Sequence, residues 1–325
     1  MEKRIYRSLS HRIQSAINHN YYRLQHALKM SLPGGSPMGA MVELTNMCNL
    51  KCVLCPSGNG DLKRKTGFMD EAVFRKIVDE LDDTYIRDLI PAMWGESIIH
   101  PKFIEFMRYA RKKTWRISLS TNGNKRGDSQ YYKDLVDSGI DEIVCAVDGH
   151  NQESYENYRK NGRLDVVHEF LRNIRQARET ANVEHPYLVA QIHLFSSNEE
   201  HLDDIRKNVM PFVDEVRTKK TRTFYTDQTV IKNIEGLRKK LKPQQEELQF
   251  VGGRPSCPTM MHTVNINWEG EVIACCRDPN SILKFGNVRE NTIKSILTSN
   301  KYVEAKKRLF AGDFWEDVCR DCYKV

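Results

Sequence analysis

The sequence predicts an α/β fold in which six strand–helix units form an open or partial barrel, followed by a small β-hairpin and helix unit. Three observations lead there. Strand-like apolar runs alternate with amphipathic helical patterns from residue 41 to about 218, as expected of right-handed βαβ units on a parallel sheet. Six such units occupy that stretch, too few for a closed eight-unit barrel. Beyond 218 the alternation stops, and a basic stretch gives way to a hairpin pattern. In folds of this kind chemistry gathers in the loops after the strand C-termini.

The chain opens on a basic stretch. Residues 1–32 carry Lys3, Arg4, Arg7, Arg12, Arg23 and Lys29 against one acid, Glu2, which is +5 of the net +7 of all 325 residues. Ile5, Leu9, Ile13, Ala16, Ile17, Leu24 and Leu28 recur there at helical spacing. A basic amphipathic helix is expected, docked on its own domain, on a second subunit or on an anionic membrane surface. No aromatic–basic interleaving accompanies the charge, so nucleic acid is not an expected partner. Pro33-Gly34-Gly35-Ser36-Pro37 ends this helix as a linker.

Strands are expected at Met41–Thr45, Asp88–Met93, Trp115–Ser120, Glu142–Val147, Tyr187–Phe195 and Val213–Thr218. Helices are expected at about 70–82, 101–113, 128–138, 152–180 and 199–209. Residues 217–242 hold nine Lys and Arg against Asp227 and Glu235. They read as a solvated helix and linker, or as a patch for an acidic substrate. Thr263–Trp268 and Glu271–Cys276 then flank Glu269-Gly270 as a hairpin, and a helix at about 290–309 precedes a cysteine-bearing tail. The domains expected are 1–37, 38–218, 219–250 and 251–325.

Composition narrows the setting. Apolar residues make up 40% and charged residues of both signs 29%, which suits a globular chain. No apolar run approaches the roughly 18 residues of a membrane span, and no signal-peptide core is visible. A cytoplasmic protein is expected, whose nine cysteines stay reduced as core thiols, metal ligands or reactive groups.

Their spacing distinguishes these roles. Cys48, Cys52 and Cys55 lie within eight residues directly after the first strand. Three thiolates can hold three irons of a [4Fe–4S] cube and leave the fourth open to a small molecule. A structural zinc site normally has four protein ligands and is closed. The C-x3-C-x2-C spacing in this place resembles the radical S-adenosylmethionine (SAM) superfamily. That resemblance implies a partial (βα)6 TIM-type barrel whose open iron chelates the amino and carboxylate groups of SAM. Trp94-Gly95-Glu96 resembles the family's Gly-Gly-Glu motif, whose backbone and acid meet the SAM ammonium, with Trp94 in place of the first Gly and Ser97 in place of Pro. Ser120-Thr121-Asn122-Gly123 and Val147-Asp148-Gly149 close strands 3 and 4 in the family manner. Arg159 resembles the arginine that pairs with the SAM carboxylate, a role suited to a bidentate guanidinium. By this resemblance Glu96, Ser120, Asn122, Asp148 and Arg159 are the cofactor-binding residues.

A second group of cysteines lies near the C-terminus: Cys257, Cys275, Cys276 and the pair Cys319 and Cys322. A loop cysteine, a hairpin cysteine and a C-x2-C pair make four ligands, enough for a closed cluster or a four-cysteine zinc site. With the hairpin and Asn287, they resemble the Twitch form of the SPASM extension of radical SAM enzymes, which implies an auxiliary [4Fe–4S] cluster on Cys257, Cys275, Cys319 and Cys322. The expected fold is thus a partial barrel with a small C-terminal β-hairpin/helix iron–sulfur domain. Cys145 is expected in the core. Cys276 reads as a core thiol, as the ligand in place of Cys275, or as a catalytic hydrogen-atom donor.

The resemblance implies cleavage of SAM to a 5′-deoxyadenosyl radical that abstracts hydrogen from a substrate carbon. Electron loss to the auxiliary cluster turns an alcohol into a ketone, whereas hydrogen return from a thiol inverts the carbon. Oxidation of a sugar or cyclitol is the expected outcome, fed by a flavodoxin- or ferredoxin-type reductant. Epimerisation through Cys276 and SPASM-type peptide modification are the alternatives. A binding protein that keeps its clusters and has lost the chemistry is the non-enzyme reading. No motif names a general base. His100, His193 and Asn198 are placed to face the pocket, with structural roles expected for each.

Overall fold

Six parallel strands lie side by side in chain order: β1 (Gly39–Val42), β2 (Asp88–Ile90), β3 (Arg116–Thr121), β4 (Glu142–Ala146), β5 (Tyr187–Leu194) and β6 (Glu215–Lys220). Each runs parallel to the one before it. The computed structural model describes residues 37–82, 86–113, 115–220 and 257–319, with isolated positions between 13 and 24 and two short strands at 250–255. An open parallel sheet with helices between its strands is the partial-barrel architecture expected from the sequence.

The helices follow from apolar stripes and caps. In α2 (Glu71–Asp82), which follows the short α1 (Pro56–Asn59), Val73, Phe74, Ile77, Val78 and Leu81 make one buried face. Phe74 stacks on Phe106 of α3 (Phe103–Ala110) with ring centroids 4.3 Å apart. Asp128 caps α4 (Ser129–Asp137) by accepting from the Tyr131 N–H at 2.8 Å. The long helix expected over 152–180 is two, α5 (Gln152–Tyr158) and α6 (Leu164–Thr180). Asn161 at φ 64 breaks it, a backbone conformation that no helix interior accepts. The break leaves Arg159 at the end of α5, clear of the helical ladder. The expected 199–209 helix likewise divides into α7 (Ser196–Glu199) and α8 (Leu202–Val209).

After the two-residue strands β7 (Phe250–Val251) and β8 (Arg254–Pro255) and α9 (Pro258–His262), the chain forms a meander of β9 (Thr263–Ile266), β10 (Glu271–Ile273) and β11 (Lys284–Asn287). The hairpin matches expectation; its docking was not legible in the sequence. β9 pairs in parallel with β1, from Gly39 opposite Thr263 to Val42 opposite Ile266. The meander therefore extends the barrel sheet to nine strands. Ser299 caps α11 (Asn300–Phe310) and separates it from α10 (Ile293–Leu297), so the helix expected over 290–309 is also two.

Of the basic N-terminal segment, Ile13, Ile17 and Leu24 are exposed on one helical side. The rest of that segment, residues 221–249 and Cys322 lie outside the described residues. Among the described residues no helix is long and apolar enough to cross a membrane.

One ion pair ties α6 to the start of β6. Arg178 donates to both carboxylate oxygens of Asp214, at 2.6 and 2.8 Å, and to the Pro186 carbonyl at 2.9 Å. Asp214 also accepts from the Leu188 N–H at 2.7 Å. Burial opposes its ionisation, but Arg178 and that N–H outweigh burial and hold its pKa below the usual carboxylate value. Such a pair stabilises fully above the unfolded-state pKa and is lost as pH falls through the lower folded-state value. Asp214→Asn should therefore cost about 1.5–3 kcal/mol at neutral pH, read as a lower anaerobic denaturant midpoint. The gap to wild type should narrow below about pH 4. A midpoint equal to wild type at pH 7 would show that the pair does not hold α6.

Candidate radical and auxiliary cluster sites

The loop after β1 carries the first cysteine group. Leu50 and Leu54 are buried in it against Tyr158 and Phe195, with Cys52 in the same cluster and Cys48 and Cys55 packed at its edge. The loop is also hydrogen-bonded to the break between α5 and α6, Lys51 N–H to Lys160 C=O and Val53 N–H to Tyr158 C=O. Cys55 caps α1, where a Cβ on Gly58 would lie 2.6 Å from the Cys52 backbone. Only glycine lets that turn close on the loop.

Burial pushes the Cys48 thiol up to about 12 and the Cys55 thiol up to about 11, and their thiol neighbours push the same way. A bare set of three thiolates is thus electrostatically unfavourable. Cationic iron reverses that balance, which is the sense in which this donor set fits an iron–sulfur cluster. Among the described residues no three Cys, His, Asp or Glu side chains are spaced to hold a single metal ion.

Beside the cysteines lie the ends of β2 and β3. Gly95 has φ 81, and a Cβ there would lie 2.5 Å from the Thr45 carbonyl, so the Trp94-Gly95-Glu96 turn requires its glycine. The Glu96 carboxylate is buried and accepts from Thr121 Oγ1 at 2.8 Å, the Asn122 N–H at 2.7 Å and the Ile98 N–H at 3.4 Å. It braces two loop ends, and a ligand ammonium would have to share its oxygens. Burial raises its pKa despite those bonds. Asn122 places Nδ2 2.9 Å from Asn49 Oδ1 and 3.7 Å from Cys48 Sγ. Ser120 is exposed at the end of β3. The bracing by Asn49 and by Asn124, which bonds Tyr155 Oη at 2.8 Å, had no sequence signal, because an asparagine in a loop reads as a turn residue.

Asp148 and Arg159 form a buried ion pair, with Nε 2.6 Å from Oδ2. Arg159 Nη1 lies 3.6 Å from Cys52 Sγ and Nη2 3.5 Å from His193 Nδ1, while its Cζ is 4.8 Å from the Tyr158 ring centre. One edge of the guanidinium is thus spent on Asp148, and the Nη edge adjoins the cysteine loop. Burial alone would raise the Asp148 pKa, yet Arg159 and His193 drive it far below the usual carboxylate value. His193 donates its backbone N–H to Asp148 at 2.7 Å and sets Nδ1 3.3 Å from the same oxygen. Asn198 is a clamp between loops, donating to the carbonyls of Asp148 at 2.9 Å and His193 at 2.8 Å. His100 is also structural, with Nε2 3.0 Å from the Met69 carbonyl and Nδ1 accepting from the Lys102 N–H.

The second cysteine group gathers below the hairpin. Cys257, Cys275, Cys276 and Cys319 are each half-buried. Burial, then Cys276, Cys257 and Cys319 in that order, pushes the Cys275 thiol well above its ordinary value. The four are therefore near neighbours, and they fit a cationic cluster by the same reasoning. The Arg277 N–H reaches Cys275 Sγ at 3.4 Å. Cys145 is fully buried in the main core, as expected.

The two cysteine-bearing segments are joined. The Lys63 N–H donates to Asn280 Oδ1 at 2.7 Å and Arg64 Nε to the Pro279 carbonyl at 2.6 Å. Arg64 also reaches Glu43 Oε2 at 2.5 Å, and the Trp268 N–H reaches Glu43 Oε1 at 3.4 Å. Sequence reasoning passed over Glu43 and Arg64; the available signal was a carboxylate in the strand-like Met41–Thr45 run.

Comparison with known proteins agrees with this architecture. A Radical SAM superfamily model matches residues 42–209, and a SPASM model, an iron-sulfur cluster-binding domain, matches residues 257–323. The chain is 24% identical over 317 residues to the "tungsten-containing aldehyde ferredoxin oxidoreductase cofactor-modifying protein" of Pyrococcus furiosus, covering 86% of each. Its fold is similar to that of BtrN in complex with AdoMet and 2-DOIA, at 17% identity and TM-score 0.54, over 87% of this chain and 92% of that one. It is also similar to Streptococcus suis SuiB bound to precursor peptide SuiA, at 11% identity and TM-score 0.63, over 94% and 74%. The two domains imply a SAM-binding [4Fe–4S] cluster and auxiliary iron–sulfur chemistry. With the family model covering more than half of its length, this chain belongs to the radical SAM superfamily.

Proposed function

We propose that the protein oxidises an alcohol on a sugar or cyclitol to a ketone. Cys48, Cys52 and Cys55 hold the SAM-binding cluster, and Cys257, Cys275, Cys319 and Cys322 hold an auxiliary [4Fe–4S] cluster that accepts the second electron. The observation that carries this reading is the direct bonding of Lys63 and Arg64 to Pro279 and Asn280. It brings the segment after the first cysteine group against the loop that follows Cys275, as electron transfer between the two sites requires. The Pyrococcus relative, named for modifying a cofactor, supports a small-molecule substrate, and so does the fold shared with BtrN.

When bound, the cluster and SAM supply a 5′-deoxyadenosyl radical that removes a hydrogen atom from carbon. The chain's own residues do the rest. Asp148 holds Arg159 by Nε, so that the Nη edge beside Cys52 can take the SAM carboxylate. Leu50, Leu54, Tyr158 and Phe195 keep water from that side of the loop. Glu96 fixes the β2 and β3 ends, and Asn122 reaches the Cys48 sulfur. The electron for SAM cleavage comes from a flavodoxin- or ferredoxin-type reductant. Epimerisation is the second reading, favoured by the place of Cys276 beside Cys275 in the thiol group.

Anaerobic reconstitution with iron and sulfide should load about eight irons per chain, and dithionite should then release 5′-deoxyadenosine. Four irons with one zinc would remove the auxiliary redox role. Asp148→Asn should weaken SAM binding about tenfold in equilibrium dialysis while iron loading stays at wild-type level; unchanged affinity would detach Arg159 from the SAM carboxylate. Cys276→Ala should leave product formation intact with one SAM consumed per turnover. Loss of product with intact clusters would instead favour the thiol-donor route.

A further inference from the structure

Glu43, at the end of β1, is fully buried and is the hub of a polar set. It accepts from Arg64 Nη2, from the Trp268 N–H and from the Trp94 N–H. Each of these three residues keeps a buried N–H with no hydrogen-bond partner among the described residues: Arg64 Nη1, Trp268 Nε1 and Trp94 Nε1. The Arg64 side chain is only 7% exposed, and its Nε is already spent on the Pro279 carbonyl. A fourth orphan is an acceptor. Asp278 is fully buried, and its Oδ2 accepts from the Leu283 N–H at 2.8 Å while Oδ1 takes nothing. Arg64 acts electrostatically on Asp278 without forming an ion pair with it.

A buried polar group left without a partner costs about 1–3 kcal/mol, and more when it is charged. Four of them on one connected set of residues call for an occupant. The set lies where the β2 loop end, the segment after the first cysteine group, and both hairpin loops meet. Its occupant must accept hydrogen bonds from a guanidinium and two indoles and donate one to a carboxylate. A hydrocarbon would leave all four unpaired, and Asp278 disfavours an anion. Hydroxyl groups both accept and donate, and several on one small ring can serve several partners at once.

We propose that Arg64, Trp94, Trp268 and Asp278 line the binding site of a hydroxyl-bearing ring, a sugar or cyclitol. The inference rests on the alcohol-oxidation reading and names residues that would hold that substrate. Arg64 donates from Nη1 and the two indoles from Nε1, while Asp278 Oδ1 receives a substrate hydroxyl proton as a hydrogen bond.

The test uses the reconstituted holoprotein with SAM, with labelled myo-inositol and D-glucosamine as probes in equilibrium dialysis. Release of 5′-deoxyadenosine on reduction is read in parallel. At least one probe should bind saturably and stimulate that release. Asp278→Asn, which turns an acceptor into a donor, and Trp268→Phe, which deletes one N–H, should each weaken probe binding about tenfold or more. Iron content and SAM affinity should stay at wild-type values, which reports that both variants fold. Arg64 is left in place, because its loss would strand the Glu43 charge. A probe that drives 5′-deoxyadenosine release with equal affinity in wild type and both variants overturns the site and leaves the alcohol-oxidation reading standing. No binding of either probe to wild type means the orphans hold water only and overturns the site. If a precursor peptide then drives the release, the alcohol-oxidation reading falls with it.

Discussion

The arrangement turns on a carboxylate that has no contact with solvent. Glu43 is raised in pKa by burial even with Arg64 beside it, so its charge is tolerated only while every donor around it stays in place. Those donors come from the end of β2, the segment after the first cysteine group, and the hairpin turn. Removing one partner of such a pair is far more costly than removing both. Three stretches remote in sequence are thereby held to one another, and the two cysteine groups inherit their mutual placement from it.

A second buried pair organises the opposite side of the cysteine loop. Asp148 overcomes burial and stays ionised because Arg159 and His193 face it. Arg159 in turn keeps its charge against desolvation because Asp148 and Cys52 oppose the loss. A guanidinium fixed beside Cys52 lowers the electrostatic cost of gathering thiolates there. Asn198 then locks the β4 and β5 loop ends together through two carbonyls. The polar residues at the barrel mouth therefore do two jobs: they rigidify the loops and set the charge around the clusters.

Much of this was legible in sequence. Periodicity located all six barrel strands to within a few residues, because parallel strands buried on both faces leave continuous apolar runs. The spacing of Cys48, Cys52 and Cys55 carried the chemistry, since a metal cluster constrains residue type and interval together. Helix breaks were not legible: Asn161 sits inside an amphipathic pattern that a positive φ interrupts. The pairing of β9 with β1 was also hidden, because register between distant strands depends on backbone geometry that no local pattern records. Glu43 and Arg64 were missed for a related reason. Each is ordinary in isolation, and only the fold makes them partners.

The seam between β1 and β9 has a consequence for how the protein is made. β1 emerges among the first ordered residues, but Glu43 waits for Trp268, 225 positions later. Until the hairpin has been synthesised, β1 presents an open edge to the cell, the kind of unpaired strand that invites association with other chains. The barrel is therefore a vectorial assembly that closes backwards, with its last-made strand sealing its first. Chaperone demand during synthesis should be greatest in the interval between the two.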